Sequence, residues 1–110
     1  MVRLTVLYGH PEDPAAFDSY YHEVHLPLAR RMKGFLGWTI GKCESLSPDE
    51  PAPYYMIVGL YGESREAIEA ILATPEGQAA VADVPNFATG GATFMYDTEE
   101  VLIPFALNLD

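Results

Sequence analysis

The sequence predicts an α+β domain in the ferredoxin-like, split-βαβ order β-α-β-β-α-β, with a four-stranded antiparallel sheet and its helices on one face. Three observations predict it. Val2 to Tyr8 and Tyr54 to Tyr61 place alternate side chains on opposite faces, the period of a strand. Two segments repeat apolar residues at helical spacing behind a helix-start signal, one opened by Asp13-Pro14 and one by Ser64. Two further strands, one before Tyr54 and one after Gly90-Gly91, complete the order.

In chain order, Val2, Leu4, Val6 and Tyr8 share one face of the first strand, with Arg3, Thr5 and Leu7 on the other. Gly9 to Pro14 is a turn-rich loop. Asp13 offers a carboxylate to free helix N–H groups, and Pro14 fits the first helical position. Phe17, Tyr20, Tyr21, Val24 and Leu28 then recur at helical spacing. Pro27 interrupts them: it has no N–H for the carbonyl of Glu23, and its ring clashes there. The helix is expected to kink or end near His25-Leu26, with a further turn or two from Leu28 to Lys33 and a stop at Gly34.

The second strand is expected over 35–45, weakened by Gly37 and Gly41. A Pro-rich loop leads to the third strand, Tyr54 to Tyr61. Ser64 caps the next helix, with Glu66 in its first turn where the helix dipole favours an anion. Thr74-Pro75-Glu76 repeats the start signal for a short helix to about Asp83, which Val84-Pro85-Asn86-Phe87 breaks. Ala92 to Tyr96 is the fourth strand. Val101 to Phe105 would prolong it after an acidic turn, at a sheet edge because of Pro104.

A chain of 110 residues fits one domain, 1–110. It carries 6 Lys and Arg against 16 Asp and Glu, a net charge of −10. So acidic a surface repels phosphate backbones and anionic headgroups, which argues against nucleic-acid and membrane partners. The single Cys43 has no internal disulfide partner and suits a reducing compartment. With no apolar run of transmembrane length and no signal-peptide pattern before Tyr8-Gly9, the expected location is the cytoplasm. Helices on one face leave the other bare, yet the third strand is apolar on both sides. A second copy of the chain is the simplest cover, giving a homodimeric α/β barrel.

The chain resembles the EthD-like family of dimeric α/β-barrel proteins over nearly its whole length. The resemblance rests on Leu4-Thr5-Val6-Leu7-Tyr8-Gly9, on Phe17-Asp18-Ser19-Tyr20-Tyr21 with His25-Leu26-Pro27-Leu28-Ala29, and on Gly34-Phe35. It continues in Pro53-Tyr54-Tyr55, Thr74-Pro75-Glu76-Gly77-Gln78 and Asp83-Val84-Pro85-Asn86-Phe87. It implies a ferredoxin-like protomer and a homodimeric barrel. The family and its barrel relatives include a protein linked to ether degradation, cyclases, lactone isomerases, dehydratases, decarboxylases and cofactor-free monooxygenases, so the fold leaves the reaction open.

His25 is the first catalytic candidate. An imidazole titrates near neutrality, and the residue shares a helix side with Tyr21 and matches the family's His-x-Pro-Leu motif. The structural alternative is that it satisfies carbonyls freed around Pro27. Asp83 would orient the His25 ring, against a plain role in capping and turn formation shared with Asn86. Tyr21 would polarise a substrate oxygen. Tyr8, Trp38, Tyr55, Tyr61, Asn86 and Phe87 are candidates to line a pocket for a flat apolar ligand, against ordinary core or interface packing. His22-Glu23-Val24-His25 is one residue short of the zinc-protease spacing and has no evident third ligand, so His22 reads as solvent-facing and no metal site is expected. No nucleotide, phosphate-loop or haem signature is present, so no cofactor is expected. The expected function is cofactor-independent acid–base chemistry of the isomerase, cyclase, dehydratase or decarboxylase type on a small apolar or aromatic carbonyl compound. The alternatives are a non-catalytic carrier of a hydrophobic metabolite and a cofactor-free monooxygenase.

Overall fold

A computed structural model describes residues 1–106. Four strands, β1 (Val2–Tyr8), β2 (Gly37–Lys42), β3 (Met56–Gly62) and β4 (Ala92–Thr98), form one sheet in the order β2-β3-β1-β4. Every neighbouring pair is antiparallel. This is the split-βαβ arrangement expected from the alternation of strand and helix periods. The register pairs Leu4 with both Leu60 and Tyr96, and Val6 with both Val58 and Phe94. These side chains therefore lie on one face, and the helices pack over it.

The first helical stretch is α1 (Pro14–Tyr20), a π-helical turn (Tyr21–His25) and α2 (Leu26–Ala29). Asp13 caps it, its carboxylate accepting from the Ala16 N–H at 3.1 Å. The expected break at Pro27 takes another form. The Leu26 N–H bonds the carbonyl of Tyr21, five residues back. That wider turn accommodates the proline, whose ring would otherwise meet the Glu23 carbonyl. The chain stays helical through Pro27 and leaves the helix at Ala29, short of the expected Lys33. Gly34, at φ 107°, takes the left-handed turn into β2.

Ser64 caps α3 (Arg65–Leu72) and Thr74 caps α4 (Pro75–Asp83), each hydroxyl accepting the N–H three residues on at 3.1 Å. A single 3₁₀ turn, Val84–Asn86, follows α4. The core lies between this helical layer and the sheet: Leu4, Val6, Tyr8, Val58 and Leu60 from below, Phe17, Tyr21, Ile68 and Phe87 from above.

Two expectations about strands are corrected. β2 covers six residues rather than eleven. Val101 to Phe105 forms no strand and leaves Val101, Leu102, Ile103 and Phe105 more than half exposed. Pro104 supplies no N–H to a ladder. The outer face of the sheet carries no helix among the described residues. Leu7, Ile57, Tyr61 and Met95 lie there with Gly37, Gly41 and Gly59. The face is mixed rather than uniformly apolar, because Arg3 holds Asp97 through two hydrogen bonds of 3.0 and 2.9 Å and Thr5 donates to the same carboxylate.

Candidate active site

The sheet and the helical layer separate enough to leave a cavity of about 290 Å³. That is the small end of the ~300–1,000 Å³ usual for ligand pockets, with room for one ring and a short side chain. Its walls are mostly aliphatic and aromatic. His25, Tyr8 and Tyr21 reach it from the helical side and from β1, with Trp38 and Met32 at one end and Phe94 and Tyr96 at the other.

His25 is 6% exposed and Asp83 8%. The end of the π turn and the end of α4 bring them together. His25 Nδ1 lies 2.9 Å from Asp83 Oδ2. The other carboxylate oxygen accepts from the Tyr20 hydroxyl at 2.6 Å and from the Asn86 amide at 3.0 Å. Burial pushes the Asp83 carboxyl up, but the hydrogen bonds from Tyr20, Asn86 and His25 outweigh it and hold the group below its ordinary value. An ionised carboxylate only accepts, so Nδ1 is the donor and the lone pair of a neutral ring lies on Nε2. Nε2 has no hydrogen-bond partner among the described residues.

The rings around the imidazole fix its plane. Phe87 lies 4.6 Å from it between centroids and Tyr21 5.3 Å. Tyr8 stands 6.0 Å from Tyr21, edge to face. Neither of these two phenols is hydrogen-bonded among the described residues. Burial pushes Tyr21 up to about 12, and burial, with Tyr21 and Asp83 nearby, pushes Tyr8 up as well. Both stay protonated across the physiological range, so toward a ligand oxygen each is a donor. The arrangement thus combines one proton acceptor, oriented by a carboxylate, with two O–H donors on the wall of an apolar cavity.

The structure brings His25, Asp83, Tyr21, Tyr8, Asn86 and Phe87 into this one region and puts Trp38 on the cavity wall. It separates two others from it. Tyr61 lies on the outer face of the sheet. Tyr55 packs its ring on Phe17 and donates its hydroxyl to Asp18 at 2.8 Å, beside the Lys42–Asp18 ion pair, outside the cavity. His22 is exposed, and its Nδ1 lies 3.1 Å from the Asp18 carbonyl oxygen. Among the described residues no three His, Cys, Asp or Glu side chains come together to hold a metal ion. No helix among them is long and apolar enough to cross a membrane.

Sequence reasoning missed Tyr20, Met32, Phe94 and Tyr96. The Tyr20-Tyr21 pair offered a hint, but an ordinary helical register does not show that the Tyr20 hydroxyl reaches the Asp83 carboxylate while the Tyr21 ring packs on His25. The π turn sets that geometry.

The family model of the EthD domain matches residues 9–91. An uncharacterized 11.0 kDa protein of the thcB-thcC intergenic region of Rhodococcus erythropolis is 43% identical over 104 residues, covering 94% of this chain and all of the relative. A crystal structure of an ethyl tert-butyl ether d (ethd) family protein from Bacillus halodurans is 32% identical, covers 91% of this chain and 99% of its own, and superposes with a TM-score of 0.83. SnoaB, a cofactor-independent oxygenase from Streptomyces nogalater, superposes with a TM-score of 0.60 at 16% identity, over 94% of this chain and 96% of its own. At that identity the likeness shows the fold alone.

Proposed function

The chain belongs to the EthD domain family, and from that premise we propose that it is a cofactor-independent acid–base enzyme for a small apolar or aromatic carbonyl compound. The observation that carries this reading is the buried His25–Asp83 pair on the wall of an apolar cavity. His25 Nε2 takes a proton from the carbon next to the carbonyl. Negative charge moves to the carbonyl oxygen, where the Tyr21 hydroxyl, with Tyr8 beside it, donates a hydrogen bond. Asp83 holds the ring in the tautomer that exposes Nε2 and stabilises the imidazolium that forms. Returning the proton to a different atom gives isomerisation; attack of the enolate carbon on a second carbonyl of the same molecule, whose oxygen then takes the proton from His25, gives cyclisation; expelling a group from the carbon next to the enolate gives elimination. The single domain, the cytoplasmic location and a homodimer formed through the outer sheet face belong to the same proposal. Leu7, Ile57, Tyr61 and Met95 support the last of these.

The test is exchange of the α-protons of an aryl ketone such as propiophenone in heavy water, followed by NMR. Wild-type protein should accelerate exchange above buffer, and His25→Ala should lose about 10²–10⁴-fold of that rate. A ketone that binds in the cavity without exchanging would favour the non-catalytic carrier. Oxygen uptake with a phenolic substrate would favour the monooxygenase.

A further inference from the structure

A second cavity, of about 480 Å³, opens beside the first between α2 and the β2 edge. Trp38 and Met32 line both, so the two cavities adjoin at these side chains. The second cavity differs in charge: Arg30 and Lys33 stand on its rim.

That placement is unusual for this chain. It has only six cationic Lys and Arg residues in a net charge of −10. Arg3 is paired with Asp97 and Glu99, Lys42 with Asp18, and Arg65 with Glu69. The other three, Arg30, Arg31 and Lys33, form no ion pair among the described residues. They fall within four consecutive positions. Arg30 lies over the Trp38 ring, 5.8 Å from its centroid. The indole N–H of Trp38 is buried and has no hydrogen-bond partner among the described residues.

We infer that this second cavity is a carboxylate subsite, and that the ligand of the active-site cavity is an aryl or alicyclic keto acid that spans both. The inference rests on the function proposed above for the first cavity. The ring and carbonyl occupy the apolar cavity beside His25. The carboxylate sits between Arg30 and Lys33, which form no ion pair among the described residues. Arginine suits this role because its planar fork matches a carboxylate.

The probes are β-benzoylpropionate and its methyl ester, which share the aryl ketone and differ in charge. Binding to the full-length protein is read by calorimetry at low and high salt, and α-proton exchange by NMR. The acid should bind about tenfold more tightly than the ester at low salt, the scale of a charge-assisted hydrogen bond at a partly wet site. Arg30→Gln and Lys33→Gln should each erode that preference. Arg31→Gln, an equal change in net charge outside the groove, should keep it. The subsite is overturned if acid and ester bind alike, including no binding of either at millimolar concentration. It is equally overturned if Arg31→Gln removes the preference as fully as Arg30→Gln. The two readings fail separately. Acid preference without α-exchange leaves the subsite standing and sinks the enzyme, whereas exchange of the ester and acid alike does the reverse.

Discussion

At the level of single residues, the orientation of His25 depends on how Asp83 is held. Four polar groups meet there: the Asp83 carboxylate, the Tyr20 hydroxyl, the Asn86 amide and His25 Nδ1. A carboxyl depressed in the folded state stabilises the fold above its unfolded value, near pH 4. That contribution is lost as the pH falls through the lower folded value. Wild-type protein should therefore lose urea resistance on acidification below about pH 4, beyond any loss in Asp83→Asn. Asp18 and Asp97 are also depressed, by Lys42 and Arg3 respectively, but both variants share them. The same substitution should flip the His25 tautomer, visible in the imidazole nitrogen shifts, and slow α-exchange. Tyr21→Phe should lower exchange by up to about 10²-fold with the fold intact, as loss of an oxyanion donor does. His25 was legible in the sequence because a histidine ahead of Pro27 matched a motif. Tyr20 was not, since nothing in the local pattern says which of two adjacent tyrosines meets a carboxylate on a helix 63 residues away.

At the scale of elements, the π turn links the sequence to the site. Pro27 forces it, and it sets the rotation that puts His25 against Asp83. Pro27→Ala restores an N–H for the Glu23 carbonyl and permits the ordinary register. The expected result is a protein at least as stable as wild type, with slower α-exchange and altered hydrogen-exchange protection across Tyr21–His25. The start of each helix was readable from Asp13, Ser64 and Thr74, because a cap is a local event. Helix ends were less so: Ala29 rather than Lys33 closes α2, a choice made by packing against α4. Gly77 shows how closely the start of α4 lies against the end of α3. A Cβ there would meet the carbonyl oxygens of Ile71 and Leu72, so Gly77→Ala should cost about 1–3 kcal/mol in chemical denaturation. Ser64→Ala should cost about 1 kcal/mol, the usual value of a lost cap.

For the molecule as a whole, the order of elements along the chain and the helices on one sheet face followed from the two periodicities, and the structure has them. The outer sheet face was read from β3 alone, where both sides are apolar. The neighbours add Thr39, Thr93 and the Arg3–Asp97 pair, which only the register reveals. Leu7, Ile57, Tyr61 and Met95 still leave an apolar strip, and three glycines keep the β2–β3 side low enough for another sheet to approach closely. Sedimentation should give the mass of two chains, and Met95→Glu should shift it toward one by burying a charge without a partner. A wild-type mass of one chain would contradict the dimer while leaving the cavity chemistry untouched.

In the proposed reaction His25 moves the proton, and chemical rescue tests that step. In His25→Ala, α-proton exchange of an aryl ketone should drop to near the buffer rate and recover, saturably, when free imidazole is added to fill the space left by the ring. Exchange by His25→Ala at the wild-type rate without imidazole would rule out His25 as the proton acceptor.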